Sequence, residues 1–151
     1  MNNEGHYGVD IAIADKVLRA IEVDAFTLVM RPVYSLNDGH SVLYFDCSTR
    51  CRTFESDVAL PRTYLPSAAR MGLMPRFKFY LLMRVLDLLK YAPYLKLDVS
   101  ISGQSLEVGL QWEGILYWLA ESPDVAARLV VEVSEDVEIK AENARSFLRR
   151  L

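Results

Sequence analysis

Cysteine is scarce: Cys47 and Cys51 are the only two in 151 residues. They sit four apart where a strand runs into a loop, too far separated along an extended chain to bridge. No second Cys or His pair lies nearby to complete a zinc site. A disulfide-stapled fold and a structural zinc are therefore not expected, and two free thiols suit a reducing cytoplasm. The sequence also lacks a run of about 18 apolar residues, so no membrane-spanning helix is expected. Its first residues, MNNEGHYGVDIAIADKV, do not show the basic region and apolar stretch of a secretion signal. Like-charged residues never cluster in long blocks, and the net charge is −3, which argues against a DNA- or RNA-binding role. There is no P-loop, no glycine-rich dinucleotide fingerprint and no nucleophile elbow. The two histidines, His6 and His40, have no partners at catalytic spacing.

What is present is a globular chain, 52% apolar and 25% charged, of a size for one domain, residues 1–151. Ile11, Ala12, Val17, Leu18 and Ile21 recur at helical spacing and predict an amphipathic helix over 9–21. Residues 26–36 are rich in β-branched and aromatic types. Asn37-Asp38-Gly39 then signals a turn before a second strand, SVLYFDCS, so the pair reads as a β-hairpin. Pro32 implies an edge or a bulge in the first strand. Residues 51–63 read as an irregular loop, 64–71 as a short helix stopped by Gly72, and Pro75 as the opening of the next helix. In that helix Phe77, Leu81, Val85, Leu88 and Leu89 form one face. Strands follow at 95–102 and 127–135. Between them 106–120 is helical, with Pro123 ending it, and another helix begins at 141–151.

Beyond the hairpin, strands alternate with helices, which predicts an α/β fold with parallel strands covered by helices. A closed eight-stranded barrel takes about 250 residues, so a barrel-like fold here is a partial (β/α) barrel that begins with a hairpin.

Five segments resemble, in order, the EAL-domain family of cyclic di-GMP phosphodiesterases. Leu28-Val29-Met30-Arg31-Pro32-Val33 is similar to the family's opening strand with its Gln-Pro. Asp46-Cys47-Ser48-Thr49-Arg50 stands at the place of Glu-Ala-Leu-Leu-Arg. Tyr64-Leu65-Pro66-Ser67-Ala68 through Gly72-Leu73-Met74 is similar to the Phe-Ile-Pro-x-Ala helix and its Gly-Leu-Ile ending. Val99-Ser100-Ile101-Ser102 stands at the place of Val-Asn-Leu-Ser, and Val131-Glu132-Val133-Ser134-Glu135 is similar to Glu-Ile-Thr-Glu. The resemblance covers roughly the first 60% of such a domain, judged against the usual barrel length. The family's Asp-Asp-Phe-Gly strand end and the lysine after it would fall beyond Leu151.

The resemblance implies hydrolysis of a phosphodiester by a water activated between two divalent ions, which want carboxylate and amide oxygens in near-ideal geometry. Here that set is altered. Asp46 replaces a glutamate and is one methylene shorter, Ser100 replaces an asparagine, and Arg31 replaces a glutamine with a fixed positive charge; Glu132 is kept. The resemblance therefore implies ligand-binding positions at Arg31, Asp46, Arg50, Ser100 and Glu132, with no catalytic residue and no metal at Asp46, Ser100 and Glu132. Each position also has a structural reading. Asp46 pairs with Arg31 or Arg50, Ser100 fills space, Glu132 is a solvated strand end, and Arg50 is a phosphate ligand or an ion-pair partner. Trp112 and Trp118 read as packing residues.

The expectation is a non-catalytic EAL-like signalling module that regulates through a protein partner and retains weak cyclic di-GMP binding at most. As a parallel sheet with an open edge, it is expected to form a homodimer. The alternative is the N-terminal part of an active phosphodiesterase that uses Mg²⁺ or Mn²⁺, with its other catalytic residues beyond this chain.

Overall fold

The computed structural model describes residues 3–52, 60–101, 109–133 and residue 149. Its elements are α1 (Asn3–Glu22), β1 (Phe26–Tyr34), β2 (Val42–Cys51), α2 (Pro61–Arg70), α3 (Met74–Tyr91), β3 (Leu97–Ile101), α4 (Gly109–Ala120), α5 (Pro123–Ala126) and β4 (Leu129–Val133). The expected strand end at 134–135 and the helix at 141–151 lie outside the described residues, as does the start expected for α4 at 106.

The hairpin forms as its sequence predicts. Gly39 takes a φ of 66°, and the Asp38 carboxylate accepts the N–H groups of His40 and Ser41 at 3.0 and 2.9 Å, an Asx-type closure of the turn. Of the edge or bulge that Pro32 implies, the edge is present, since β1 lies at the end of the sheet; the register also slips between Val33 and Tyr34, one residue past the proline.

α1 starts at Asn3 rather than residue 9, β1 ends at Tyr34 rather than 36, and β3 and β4 start at Leu97 and Leu129 rather than 95 and 127; two further boundaries are set by proline. First, α2 begins at Pro61 rather than at residue 64, because proline is tolerated in the first helical turn, where its missing N–H has no partner to lose. Second, Pro123 does not merely end α4 but opens the one-turn helix α5 for the same reason. Gly72 stops α2 with a φ of 70°, and the N–H groups of Gly72 and Leu73 reach back to the carbonyls of Ala69 and Ala68 at 3.0 and 2.8 Å.

The sheet has the order β1-β2-β3-β4, with the hairpin antiparallel and β2, β3 and β4 parallel. The chain is thus mixed α/β, a segment of a (β/α) barrel that opens with a hairpin. One face of the sheet carries Cys47, Leu97, Val99 and Ile101. It packs on Leu81, Leu82, Val85, Leu86 and Leu89 of α3 and on Trp112, Ile115, Leu116 and Leu119 of α4. Full burial of each aliphatic side chain there contributes about 1.5–3 kcal/mol. A second cluster joins α1 to the hairpin: Phe26 meets Tyr64 and Phe77 at ring-centroid distances of 5.7 and 5.3 Å, with Val17 and Ala20 of α1 around them. Beside it, the buried Asp10 of α1 accepts Ser67 Oγ at 2.8 Å and both Arg70 Nε and a terminal nitrogen at 2.6 and 2.7 Å. This holds α1 on α2 and lowers the Asp10 carboxyl to about 2, the Arg70 hydrogen bond being the main cause and Ser67 the next.

The lower end of the unit is fastened by Arg128, whose guanidinium is only 18% exposed. It donates to the carbonyls of Leu89, Ala92 and Leu95 at 2.9, 3.1 and 3.2 Å and through Nε to Asp124 at 3.0 Å. One of the last carbonyls of α3, that of Leu89, and two of the segment after it are satisfied in this way by the residue that precedes β4.

Both cysteines are buried free thiols. Burial, with Asp98 and Asp46 nearby, pushes the Cys47 thiol up to about 12, so it is inert as a nucleophile.

Candidate functional site on the sheet face opposite α3 and α4

Side chains alternate across a strand. With Cys47, Leu97, Val99 and Ile101 against the helices, the opposite face must carry Tyr44, Asp46, Ser48 and Arg50 of β2, Asp98 and Ser100 of β3, and Val130 and Glu132 of β4. Register then decides which of them meet. Arg31 lies opposite Asp46, Ser100 is level with Glu132, and the Phe45–Leu97 pairing puts Asp46 one step along from it beside Asp98. All five residues that the sequence singles out, Arg31, Asp46, Arg50, Ser100 and Glu132, therefore fall on one face.

Contacts sort them further. The Arg31 guanidinium hydrogen-bonds the Asp46 carboxylate, so of the two partners open to Asp46 it takes Arg31. Arg50 is exposed and stands four residues further along β2, opposite Thr27. Ser100 is half-buried between the strands, and Glu132 is exposed at the end of β4.

Two residues complete the cluster that sequence reasoning did not pick out. Tyr44 reaches across β3 and donates its hydroxyl to Glu132 Oε1 at 3.2 Å, and this bond to a carboxylate raises the Tyr44 hydroxyl above its usual range. Asp98 is 1% exposed and lies at the centre of the sheet. Phe45 donates its N–H to the Lys96 carbonyl at 2.8 Å, as a parallel ladder requires. Two residues on, the Cys47 N–H goes to the Asp98 side chain, Oδ1 at 2.7 Å. A carboxylate thus takes the place a strand carbonyl would occupy, and the β2–β3 pairing is confined to Phe45–Leu97. Burial pushes the Asp98 carboxyl up to about 6. The Cys47 N–H opposes that shift, while the charges of Glu132 and Asp46 and a hydrogen bond shared with Glu132 add to it. From the helix side, Lys78 of α3 feels the Asp98 charge, although burial pulls its own ammonium down.

The signal for Asp98 was in the strand itself, since an acid flanked by Leu97 and Val99 in an otherwise apolar strand is rarely buried without a role. Tyr44 shows no comparable signal, because its contact depends on how far apart β2 and β4 lie.

The face therefore holds three carboxylates, Asp46, Asp98 and Glu132, each hydrogen-bonded to a protein group. Among the described residues no group of three or more His, Cys, Asp or Glu is arranged to hold a metal ion, and no helix is long and apolar enough to cross a membrane.

This geometry agrees with what the chain is similar to. The EAL domain family model matches residues 14–151. No curated protein matches the chain. Among solved structures, the EAL domain of FimX from Xanthomonas citri, in complex with c-diGMP, superposes with a TM-score of 0.78 at 19% identity; the match covers 98% of this chain and 59% of that one. The S helix–GGDEF–EAL region of Vibrio cholerae LapD gives 0.72 at 19% identity, over 91% of this chain and 34% of that one. The FimX EAL domain of Pseudomonas aeruginosa, bound to c-di-GMP, gives 0.58 at 25% identity, over 93% of this chain and 54% of that one. The chain thus spans about three fifths or less of these structures. With the hairpin, the parallel strands and the family match over nearly its whole length in agreement, the chain belongs to the EAL-domain family.

Proposed function

We propose that this chain is a non-catalytic EAL module of cyclic di-GMP signalling that acts through contacts with a protein partner. The observation that carries the reading is that the carboxylates of the face opposite α3 and α4 are already engaged. Arg31 neutralises Asp46, Asp98 accepts the Cys47 N–H, and Glu132 accepts the Tyr44 hydroxyl. A divalent cation at this face must compete with the Arg31 guanidinium for Asp46, whose charge that guanidinium already neutralises, and with the Tyr44 hydroxyl for Glu132. Mg²⁺ or Mn²⁺ chemistry is accordingly not assigned to these residues. Arg31 and Arg50 retain positive charge on the same face and support weak binding of a cyclic dinucleotide's phosphates. The exposed apolar residues Tyr34, Leu36, Val42 and Leu43 around the end of the hairpin support a protein contact, and we extend the proposal to a homodimer.

The test is direct: the chain is incubated with cyclic di-GMP and Mg²⁺ or Mn²⁺, and the linear dinucleotide is followed by chromatography. No product is expected. Metal-dependent turnover that Glu132→Ala abolishes would overturn the proposal and favour a metal-dependent phosphodiesterase.

A further inference from the structure

On the other side of the sheet, α3 and α4 part to leave a cleft of about 280 Å³ lined by Phe79, Met83, Leu86, Lys90, Ile115 and Trp118, with the exposed Gly114 on its α4 side. The spacing explains the lining: positions 79, 83, 86 and 90 recur along one stripe of α3, and 114, 115 and 118 share one side of α4. Three features set the cleft apart from an ordinary seam between helices.

The first is Gly114. Glycine inside a helix weakens it relative to alanine, and a residue keeps that disadvantage when its backbone or its packing needs it. Gly114 needs neither, because its φ is not positive and a Cβ built on it meets nothing within 4 Å. The missing side chain instead leaves this part of the α4 lining bare. The second is Lys90. Its ammonium lies 4.7 Å from the centroid of the Trp118 ring, which holds it at one end of the cleft. Its ion-pair partner is Asp87, one turn away at 3.1 Å, with side chains 39% and 59% exposed. A pair that open to solvent is weak and is readily exchanged for another carboxylate. The third is the walls: Phe79, Leu86, Ile115 and Trp118 are aromatic or branched aliphatic, Leu86 and Ile115 buried and Phe79 and Trp118 half-buried. Apolar walls with a single convergent charge are the usual composition of a small-molecule site.

We infer that the cleft between α3 and α4 binds a small carboxylate with an aromatic or branched apolar body, its carboxylate on Lys90 and its body over Gly114 between Phe79 and Trp118. The site is separate from the face that carries Asp46, Asp98 and Glu132, and the inference stands independently of the function proposed for that face.

The test uses the 151-residue chain, 1-naphthoate as probe and the uncharged 1-naphthalenemethanol as control, with calorimetry and the indole N–H resonance of Trp118 as readouts. Naphthoate is expected to shift the Trp118 resonance and to bind more tightly than the alcohol by about fivefold, the size of one partly exposed charge contact. Lys90→Met is expected to remove that preference. Gly114→Ala is expected to raise the melting temperature, since alanine favours the helix, and to weaken naphthoate by placing a methyl on the lining where the ring rests. A merely structural Gly114 would not separate these two effects. Three results each overturn the inference: no shift at Trp118, equal affinity for acid and alcohol, or unchanged affinity in a more stable Gly114→Ala variant.

Discussion

The two faces of the one sheet are held by different physics. The face toward α3 and α4 is held by close packing: Leu97, Val99 and Ile101 are essentially inaccessible to solvent, and none of them brings a polar group that needs a partner. The opposite face is held by directed contacts between charges and hydroxyls, Arg31 with Asp46, Tyr44 with Glu132, and Asp98 with a backbone N–H. The apolar face is costly to damage and indifferent to pH. The polar face costs little to damage at its rim and depends on pH at its centre.

The comparison can be broken most severely at Leu97. Leu97→Ala leaves a cavity between β3 and α3 and is expected to cost about 2–5 kcal/mol in urea unfolding, at acid and neutral pH alike. A loss well under that range would mean that α3 moves in to fill the space.

Asp98→Asn comes next and is expected to stabilise. With its carboxyl raised to about 6, folded Asp98 holds a proton over a window, from about pH 4 to 6, in which the unfolded chain has already released it. Stability from this group is therefore greatest below that window and is lost as pH rises through 6. Asparagine keeps an acceptor for the Cys47 N–H and carries no charge to bury. The variant is expected to gain on the order of 1–3 kcal/mol at pH 8 and nothing at pH 4. Equal stability of variant and parent at pH 8 would show that the carboxylate is solvated when ionised.

The smallest effect is expected at Arg31. Its side chain is 71% exposed and that of Asp46 34%, so Arg31→Gln is expected to change stability by less than about 1 kcal/mol, with most of the difference vanishing in high salt. A loss above that, insensitive to salt, would place this pair among the structural supports of the hairpin.

These differences also explain what the sequence disclosed. Periodicity revealed α1, the hairpin and the core face of α3, because the 3.6 and 2.0 repeats are local and the turn at Asp38-Gly39 names itself. Family-like segments singled out Arg31, Asp46, Arg50, Ser100 and Glu132, and strand register then brings them to one face. The partner of Asp46 was left open between two arginines, and only the cross-strand register decides for Arg31. Asp98 and Tyr44 were missed because their roles arise between strands. Asp98 matters where β2 and β3 cease to pair, and Tyr44 where its hydroxyl crosses β3 to β4. Pro123 shows the same limit at small scale, since a proline after a helix can end it or begin another, and the choice depends on the chain that follows.

Arg128 governs how these parts can come apart. Because one guanidinium receives carbonyls from the last turn of α3 and from the segment leading into β3, the end of that helix cannot fray without first releasing the strand that follows α5. Helix α3, β3 and β4 are thereby tied into a single cooperative opening unit. In hydrogen-exchange terms, the amides of the last turn of α3 share the protection of the central strands, where an unfastened helix end would exchange by local fluctuation. A lysine could hold one of these carbonyls as a point charge. It has no rigid fork with which to hold several together, so the same substitution would leave the composition almost unchanged and split the unit in two.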